Sequence, residues 1–294
     1  MLLQGGVLSV AHAGDSLWTP FLGLLGSLAT KTSGGMSLLG EGDASSVGTS
    51  AFRLADAKSS SFYFSHGQQT AEAQFTQMNY AHPILFSKMG WGMSYARYTK
   101  GQQEGRDENG VATGDFDAVD EGLSLSLAKG WGRFQTGLTV RRINSRAGRF
   151  EANVLQSDVT VGFCHSPKTR WAGGLLYLGG GGPGDGKTSP PPTAVAVSVS
   201  HAVLPHIVLN AEGQANLNNK TYKFSIGGEW VLSRASLRTA YQWDSKTADQ
   251  ETANIVDLRM GVGVDLFQGT RLDYAYVPLG ETSDLHAVGL VFKF

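Results

Sequence analysis

The run GGPGDGKT, with Gly181 at its start and Lys187 and Thr188 at its end, matches G-x-x-x-x-G-K-[ST] letter for letter. A loop of that type wraps backbone amides around a phosphate, and its Lys and Ser/Thr open a helix whose N-terminus faces the anion. The run follows an apolar stretch, GLLYL at 174–178, as a phosphate loop does. The other residues with chemical capacity are scattered. Histidines stand at 12, 66, 82, 165, 201, 206 and 286, with no two at the helical spacing of a metal pair. His201 and His206 flank a turn, which is the nearest approach to a shared metal. Glu104, Asp107 and Glu108 lie in a glycine-rich stretch and read as solvated charge, with a weak calcium site as the sharper alternative. Cys164 is the single cysteine, which excludes an internal disulfide and a CxxC site. No G-x-S-x-G elbow stands between a strand and a helix. The chain therefore reads as a non-enzyme, without catalytic residues, metal or cofactor.

The elements around GGPGDGKT decide against a nucleotide. Ser189 and three prolines at 190–192 follow Thr188. Proline cannot continue a helix beyond its first turn. The next segment, AVAVSVS, alternates as a strand does, so no βαβ unit surrounds the motif. Glycine supplies 39 of 294 residues, about twice the ~7 % usual share, and a chance match in such a chain is unremarkable in physical terms. The run is expected to be an excursion between two strands. The formal net charge of −1 argues against a nucleic-acid partner.

From residue 57 onward a two-residue period dominates. Val256, Leu258, Met260, Val262, Val264 and Leu266 alternate with Asp257, Arg259, Gly261, Gly263 and Asp265; Tyr222, Phe224 and Ile226 alternate with Lys223, Ser225 and Gly227. That period puts apolar residues on one face of a strand and polar residues on the other. The segments run to about 10–13 residues, the length of tilted membrane strands rather than of ordinary ones. Fourteen strands are expected between residues 57 and 294. Tight connections at 83–87, 130–131, 165–169, 204–205, 233–234 and 268–269 alternate with longer ones that include 99–115, 180–192 and 246–253. Short turns at one end and longer loops at the other describe an outer-membrane barrel. No window reaches the roughly 18 apolar residues of a membrane helix.

Three details support that architecture. Trp91, Trp131 and Trp171 sit beside short turns, where amphipathic rings favour a membrane–water boundary. The chain ends on a strand whose face carries Val288, Leu290, Phe292 and Phe294, a terminal pattern of the kind the barrel assembly machinery reads. The polar face carries Arg133, Arg141, Lys223, Glu229, Arg238, Asp257, Arg259, Asp265, Arg271 and Asp273, all assigned inward. Most are expected to satisfy one another; Arg259 and Arg271 are the candidates for contact with the acidic head of an amphipathic ligand. Ahead of the barrel, residues 1–13 resemble a short leader ending in Ala11-His12-Ala13, and residues 14–56, without alternation, are expected to form a plug in the lumen.

The stretches GGMSLLGEGDASSVGTSAFRLA and SSFYFSHG resemble the N-terminal signature of FadL-like and PorV/PorQ-like outer-membrane proteins. Asp43-Ala44-Ser45-Ser46 matches the family's Asp-Ala-Ser-Ala, and Ser50-Ala51-Phe52-Arg53-Leu54 stands at its Asn-Pro-Ala-Gly-Leu without the Asn and Pro. The closing hairpin, RLDYAYVPLGETSDLHAVGLVFKF, is the strongest match. The resemblance implies a fourteen-stranded transmembrane barrel with an N-terminal hatch, in the outer membrane of a Gram-negative (diderm) bacterium. Its partners would be outer-membrane lipid and a hydrophobic or amphipathic small molecule. The alternative is a barrel that anchors or shuttles a secreted protein, as PorV-like components of type IX secretion do.

Overall fold

The structure, a computed structural model, describes residues 19–69, 73–84, 86–106, 112–148, 150–181, 193–218, 220–245, 257–267, 269–278 and 284–294. The expected leader, most of the GGPGDGKT run, Asp107 and Glu108 lie outside the described residues.

Fourteen antiparallel strands close into one barrel. They are β1 (Ser61–Gln68), β2 (Gln74–Ile84), β3 (Met89–Arg106), β4 (Ala112–Trp131), β5 (Phe134–Ala147), β6 (Phe150–Ser166), β7 (Thr169–Gly181), β8 (Ala194–Leu204), β9 (Ile207–Asn216), β10 (Tyr222–Val231), β11 (Ala235–Asp244), β12 (Asp257–Phe267), β13 (Thr270–Pro278) and β14 (Asp284–Lys293). Each strand pairs with its sequence neighbours, and β14 pairs with β1 from Ser61↔Lys293 to Gln68↔His286. Closure leaves no strand edge seeking a partner. The expected loop over 99–115 is instead largely hairpin. β3 and β4 run 18 and 20 residues, and Glu104 belongs to β3. The ladder there pairs Gln102↔Asp117 and Gln103↔Phe116 beyond a register shift, so backbone pairing continues where side-chain alternation fades.

The period of two becomes an inside and an outside. On β11 Ser236, Arg238, Ala240 and Gln242 are buried while Leu237, Thr239, Tyr241 and Trp243 are exposed. On β4 Leu123 and Leu125 are 62 % and 58 % exposed, and Leu125 stands between Met93 of β3 and Val140 of β5 in one outward row. The large apolar side chains thus form a belt on the outer wall, while Ser, Thr, Gln, Asn and Arg turn inward.

Residues 21–56 lie against that inner face. The segment holds α1 (Thr19–Leu24), which begins just before it, α2 (Leu28–Thr32), a 3₁₀ turn at Ala44–Ser46 and a 3₁₀ helix at Ala51–Asp56. Ser27 caps α2 through Thr30 N, and Asp43 caps the 3₁₀ turn through Ser45 N. Phe21, Leu38, Val47, Phe52 and Leu54 are all at most 1 % exposed. Inward glycines let this backbone approach the wall: a Cβ on Gly137 would collide with the backbone of Ala51 and Phe52. We therefore expect Gly137→Val to leave the strand content intact but to unseat residues 51–56. Limited trypsin digestion would then cut at Arg53, which the native fold shields; unchanged protection would show that the wall can yield at that point.

Candidate functional site

The inner wall meets residues 21–56 with polar side chains placed at alternate positions of the strands. Glu212 of β9 accepts hydrogen bonds from Met36 N (3.0 Å), Ser37 N (2.8 Å), Ser37 Oγ (2.9 Å) and Leu38 N (3.1 Å). Asn210, two residues earlier on the same face, donates to Ser33 O at 2.8 Å. Gln77 accepts from Gly26 N, Asn79 donates to Ala44 O, and Ser126 accepts from Gly48 N. Backbone groups of a segment with little regular structure thereby find partners away from water.

Charged side chains fall into three groups. The first is a buried pair, Arg141–Asp158 at 2.8 Å, both side chains 2 % exposed. Arg141 also donates to Gly48 O, and Asp158 accepts from Tyr177 N (2.7 Å) at a bulge where Tyr177 has φ 59°. The second is a network of two guanidiniums and three carboxylates. Arg238 meets Glu229 and Asp273 at 2.8 Å each, and Arg271 meets Glu41 at 3.0 Å and Glu229 and Asp273 at 3.2 Å. Glu41 of the segment borders both a 550 Å³ cleft at the short-turn mouth and a 110 Å³ cavity deeper in. The side chain opens onto the cleft, and the protein around it still pushes its carboxyl up, against the pull of Arg271. Close by, Asp43 pairs with Lys293 of the last strand at 2.8 Å.

The third group is unbalanced. Lys31 of α2 is 4 % exposed and Arg259 of β12 is 8 % exposed. Lys31 donates its Nζ to Leu24 O and lies 5.9 Å from the Phe75 ring centroid. Burial first, and then the charge of Arg259, press Lys31 down to about 7. Arg259 Nε has no hydrogen-bond partner, and neither cation has an ion-pair partner among the described residues. Beside them is the apolar part of the lumen, where Phe21, Leu22, Leu25 and Leu28 pack with Phe75, Tyr98, Ile143, Val154, Val277 and Leu285. Asp257, two residues before Arg259 on the same strand face, is a half-buried carboxylate whose charge reaches Arg259 without forming an ion pair. Two adjacent buried cations offset only by that more distant anion are costly, and Arg259 Nε is a donor without an acceptor.

The other expected lumen residues divide. Arg141, Arg238, Arg259 and Asp273 are buried; Lys223 and Asp257 are half-buried, with Lys223 3.2 Å from Asp244. Asp265 is exposed at the mouth, next to a register shift between Asp265 and Phe267. Arg133, expected inside, stands exposed in the β4–β5 turn, because the strand ends at Trp131 and strand parity ends with it. Trp91, Trp131 and Trp171 face outward at the short-turn end. Phe292 also faces outward, its ring centroid 5.5 Å from that of Phe294. His201, proposed with His206 at a turn, bonds Thr169 Oγ1 at 2.9 Å. Cys164 accepts weakly from Arg170 Nε at 3.4 Å. Lys31, Glu212 and Asp158 went unrecognised; Glu212 and Asp158 do share the parity of inward neighbours, whereas Lys31 lies where no period exists.

No protein-family model matches the chain. No curated protein matches it. Solved structures do. The Pseudomonas putida toluene transporter TodX aligns with TM-score 0.67 and 11 % identity over 91 % of this chain and 97 % of its own. The Ralstonia pickettii toluene transporter TbuX gives 0.66 and 14 %, over 92 % and 99 %. A Pseudomonas aeruginosa FadL homologue gives 0.60 and 11 %, over 92 % and 98 %. What is shared is the fold. The closed fourteen-strand barrel of this chain has that fold.

The Arg141–Asp158 pair generates a stability prediction. Arg141→Met leaves Asp158 buried without its counter-charge, which costs about 3–5 kcal/mol. Thermal unfolding in detergent should fall well below wild type, and the double variant Arg141→Met, Asp158→Asn should recover part of the loss.

Proposed function

We propose that this protein is an outer-membrane channel for small hydrophobic molecules, and that its preferred cargo is an amphipath with an apolar body and one carboxylate. The apolar outer belt, the short turns at one end and the likeness in fold to toluene transporters and a FadL homologue support the channel reading. The observation that carries the preference is the buried Lys31–Arg259 pair, with Arg259 Nε unpartnered, beside an apolar region of the lumen. A carboxylate placed there would accept the free Arg259 donor and neutralise the cations, while its tail replaced or joined the side chains of Phe21, Leu25 and Leu28. A neutral hydrocarbon would use the apolar region and leave the cations unbalanced. Residues 21–56 act in this reading as a plug that must yield for cargo to reach the cleft bordered by Glu41 and Arg271. The alternative role, holding secreted proteins, gains no support from a lumen whose wall binds the chain's own N-terminal segment; co-purification of a secreted protein from native membranes would restore it.

Displacement of a fluorescent fatty-acid analogue from the purified protein tests the cargo. Arg259→Ala should weaken carboxylate binding at least about tenfold, since a hydrogen bond to a charged group contributes about 1.5–3 kcal/mol, and should change toluene binding little. The pH dependence follows from Lys31. Below pH 7 it carries a proton and attracts the carboxylate; above pH 7 it is neutral, so affinity should fall from pH 6 to pH 8. Lys31→Met should flatten that profile. A flat wild-type profile together with an indifferent Arg259→Ala would leave a channel for neutral molecules only.

The membrane reading has its own test. Leu125→Arg puts a cation in the middle of the belt and should cost about 2–4 kcal/mol of folding stability in lipid vesicles. A wild-type protein that stays monomeric in plain buffer without detergent would refute the reading outright.

A further inference from the structure

The two rims of the barrel differ in how their charges are matched. At the short-turn rim, Lys88, Arg133, Lys168 and Arg234 occupy the β2–β3, β4–β5, β6–β7 and β10–β11 turns, Lys129 stands just before Trp131, and Lys58 lies at the entrance to β1. All six are exposed, and none has an ion-pair partner among the described residues. The acids at this end are committed elsewhere or point into the cleft: Glu41 to Arg271, Asp43 to Lys293, Asp56 to Arg53, and Asp265 on the cleft wall. At the opposite rim, among the described residues, some cations meet acids, as in Arg97–Glu121 at 3.9 Å, Lys100–Asp120 at 3.3 Å and Lys223–Asp244 at 3.2 Å, and exposed Arg142, Arg146 and Lys220 share the rim with exposed Asp115, Asp117 and Glu151. Among the described residues the short-turn rim thus carries six exposed cations, while its acids are paired or border the cleft.

The aromatic residues fix the level of that ring. Trp131, Trp171, Trp230 and Phe134 are 47–59 % exposed on the outer wall at the short-turn end. Lys129 Nζ lies 5.3 Å from the Trp131 ring centroid. Tryptophan settles where hydrocarbon meets headgroups, and Lys and Arg beside it extend their charged ends into the phosphate layer. Six unmatched cations at that level complement a sheet of phosphates; a soluble counter-ion at physiological salt would only screen them.

We infer that the short-turn rim is a basic collar that recruits anionic phospholipid headgroups from the leaflet it touches. The inference rests on the membrane reading above. It assigns a role to exposed Arg133, Lys88 and Lys168, which the lumen does not use, and to Arg234, which also borders the Glu41 cleft.

The test is the lipid retained by the protein. Nanodiscs are assembled from phosphatidylcholine with a minority of phosphatidylglycerol, and the lipids kept through detergent exchange are identified by native mass spectrometry. Phosphatidylglycerol should be enriched over its bulk fraction, and the enrichment should fall as salt rises. Each single reversal, K88E, R133E, K168E or R234E, should lower retention roughly fivefold, the scale of one interfacial cation near an anionic surface. The quadruple reversal should abolish the enrichment. Equal retention of the two lipids, or enrichment that survives the reversals, overturns the collar. Should the quadruple variant fail to fold, the single reversals and the wild-type salt titration decide alone. Stronger retention of soluble polyglutamate than of phosphatidylglycerol would assign the rim to an acidic protein and also overturn the lipid collar. A protein that enters nanodiscs of neither composition removes the membrane reading instead, which is a distinct result.

Discussion

The structure depends on the β1–β14 seam. A strand carries an N–H and a C=O at nearly every residue, and in a hydrocarbon environment no water is present to satisfy an open edge. Pairing from Ser61↔Lys293 to Gln68↔His286 removes the last two edges. Once the sheet is closed, each residue has one of two fates set by its parity. Tyr63 and Ser65 go inside, Phe62 and His66 outside, and the same division is repeated around the ring. The apolar belt and the polar lumen are both consequences of a single backbone requirement.

A closed lumen then creates its own problem. Residues 21–56 inside it have few helical turns of their own, so their amides and carbonyls would be left without partners. The wall answers with Gln77, Asn79, Ser126, Asn210 and Glu212, each bonded to that backbone. Polar residues that a water-filled pore would present to solvent serve here as substitutes for solvent. Where the two backbones touch, the wall has glycine: Gly227 meets Gly34, and Gly137 meets Phe52. The high glycine content of the chain is thus partly a record of close approach, as well as of turns.

Strand identity was legible because parity is a local property. Leu258, Met260 and Val262 declare a face without knowledge of what lies across from them, and the closing order follows once every connection is a hairpin. Parity is also where the reading failed. Arg133 stands two residues past the end of β4, in a turn, and Asp265 stands at a bulge. Between residues 99 and 115 alternation is weak, yet the β3–β4 ladder continues because its backbone bonds do not need a greasy side chain on each second residue. The interior chemistry was less legible still. Glu212 shows itself as an inward acid, but its partners are the amides of Met36, Ser37 and Leu38, some 175 residues away in sequence. Lys31 has no periodic context from which its burial beside Arg259 could be inferred.

Charge alone therefore does not distinguish a structural lumen residue from a binding one; the balance of partners does. Arg271 and Arg259 are both inward guanidiniums on neighbouring strands, and from sequence they are equivalent candidates. Arg271 is enclosed by Glu41, Glu229 and Asp273, and every one of its nitrogens has an acceptor within 3.2 Å. An incoming anion would have to compete with three carboxylates already in place, so Arg271 belongs to the architecture that holds Glu41 and the segment. Arg259 faces another cation, has an unused Nε and has no carboxylate within ion-pair distance among the described residues. Two such charges side by side in a low-dielectric interior are offset only at a distance, by Asp257, and that imbalance, absent around Arg271, is what separates two guanidiniums that the sequence presents as equivalent.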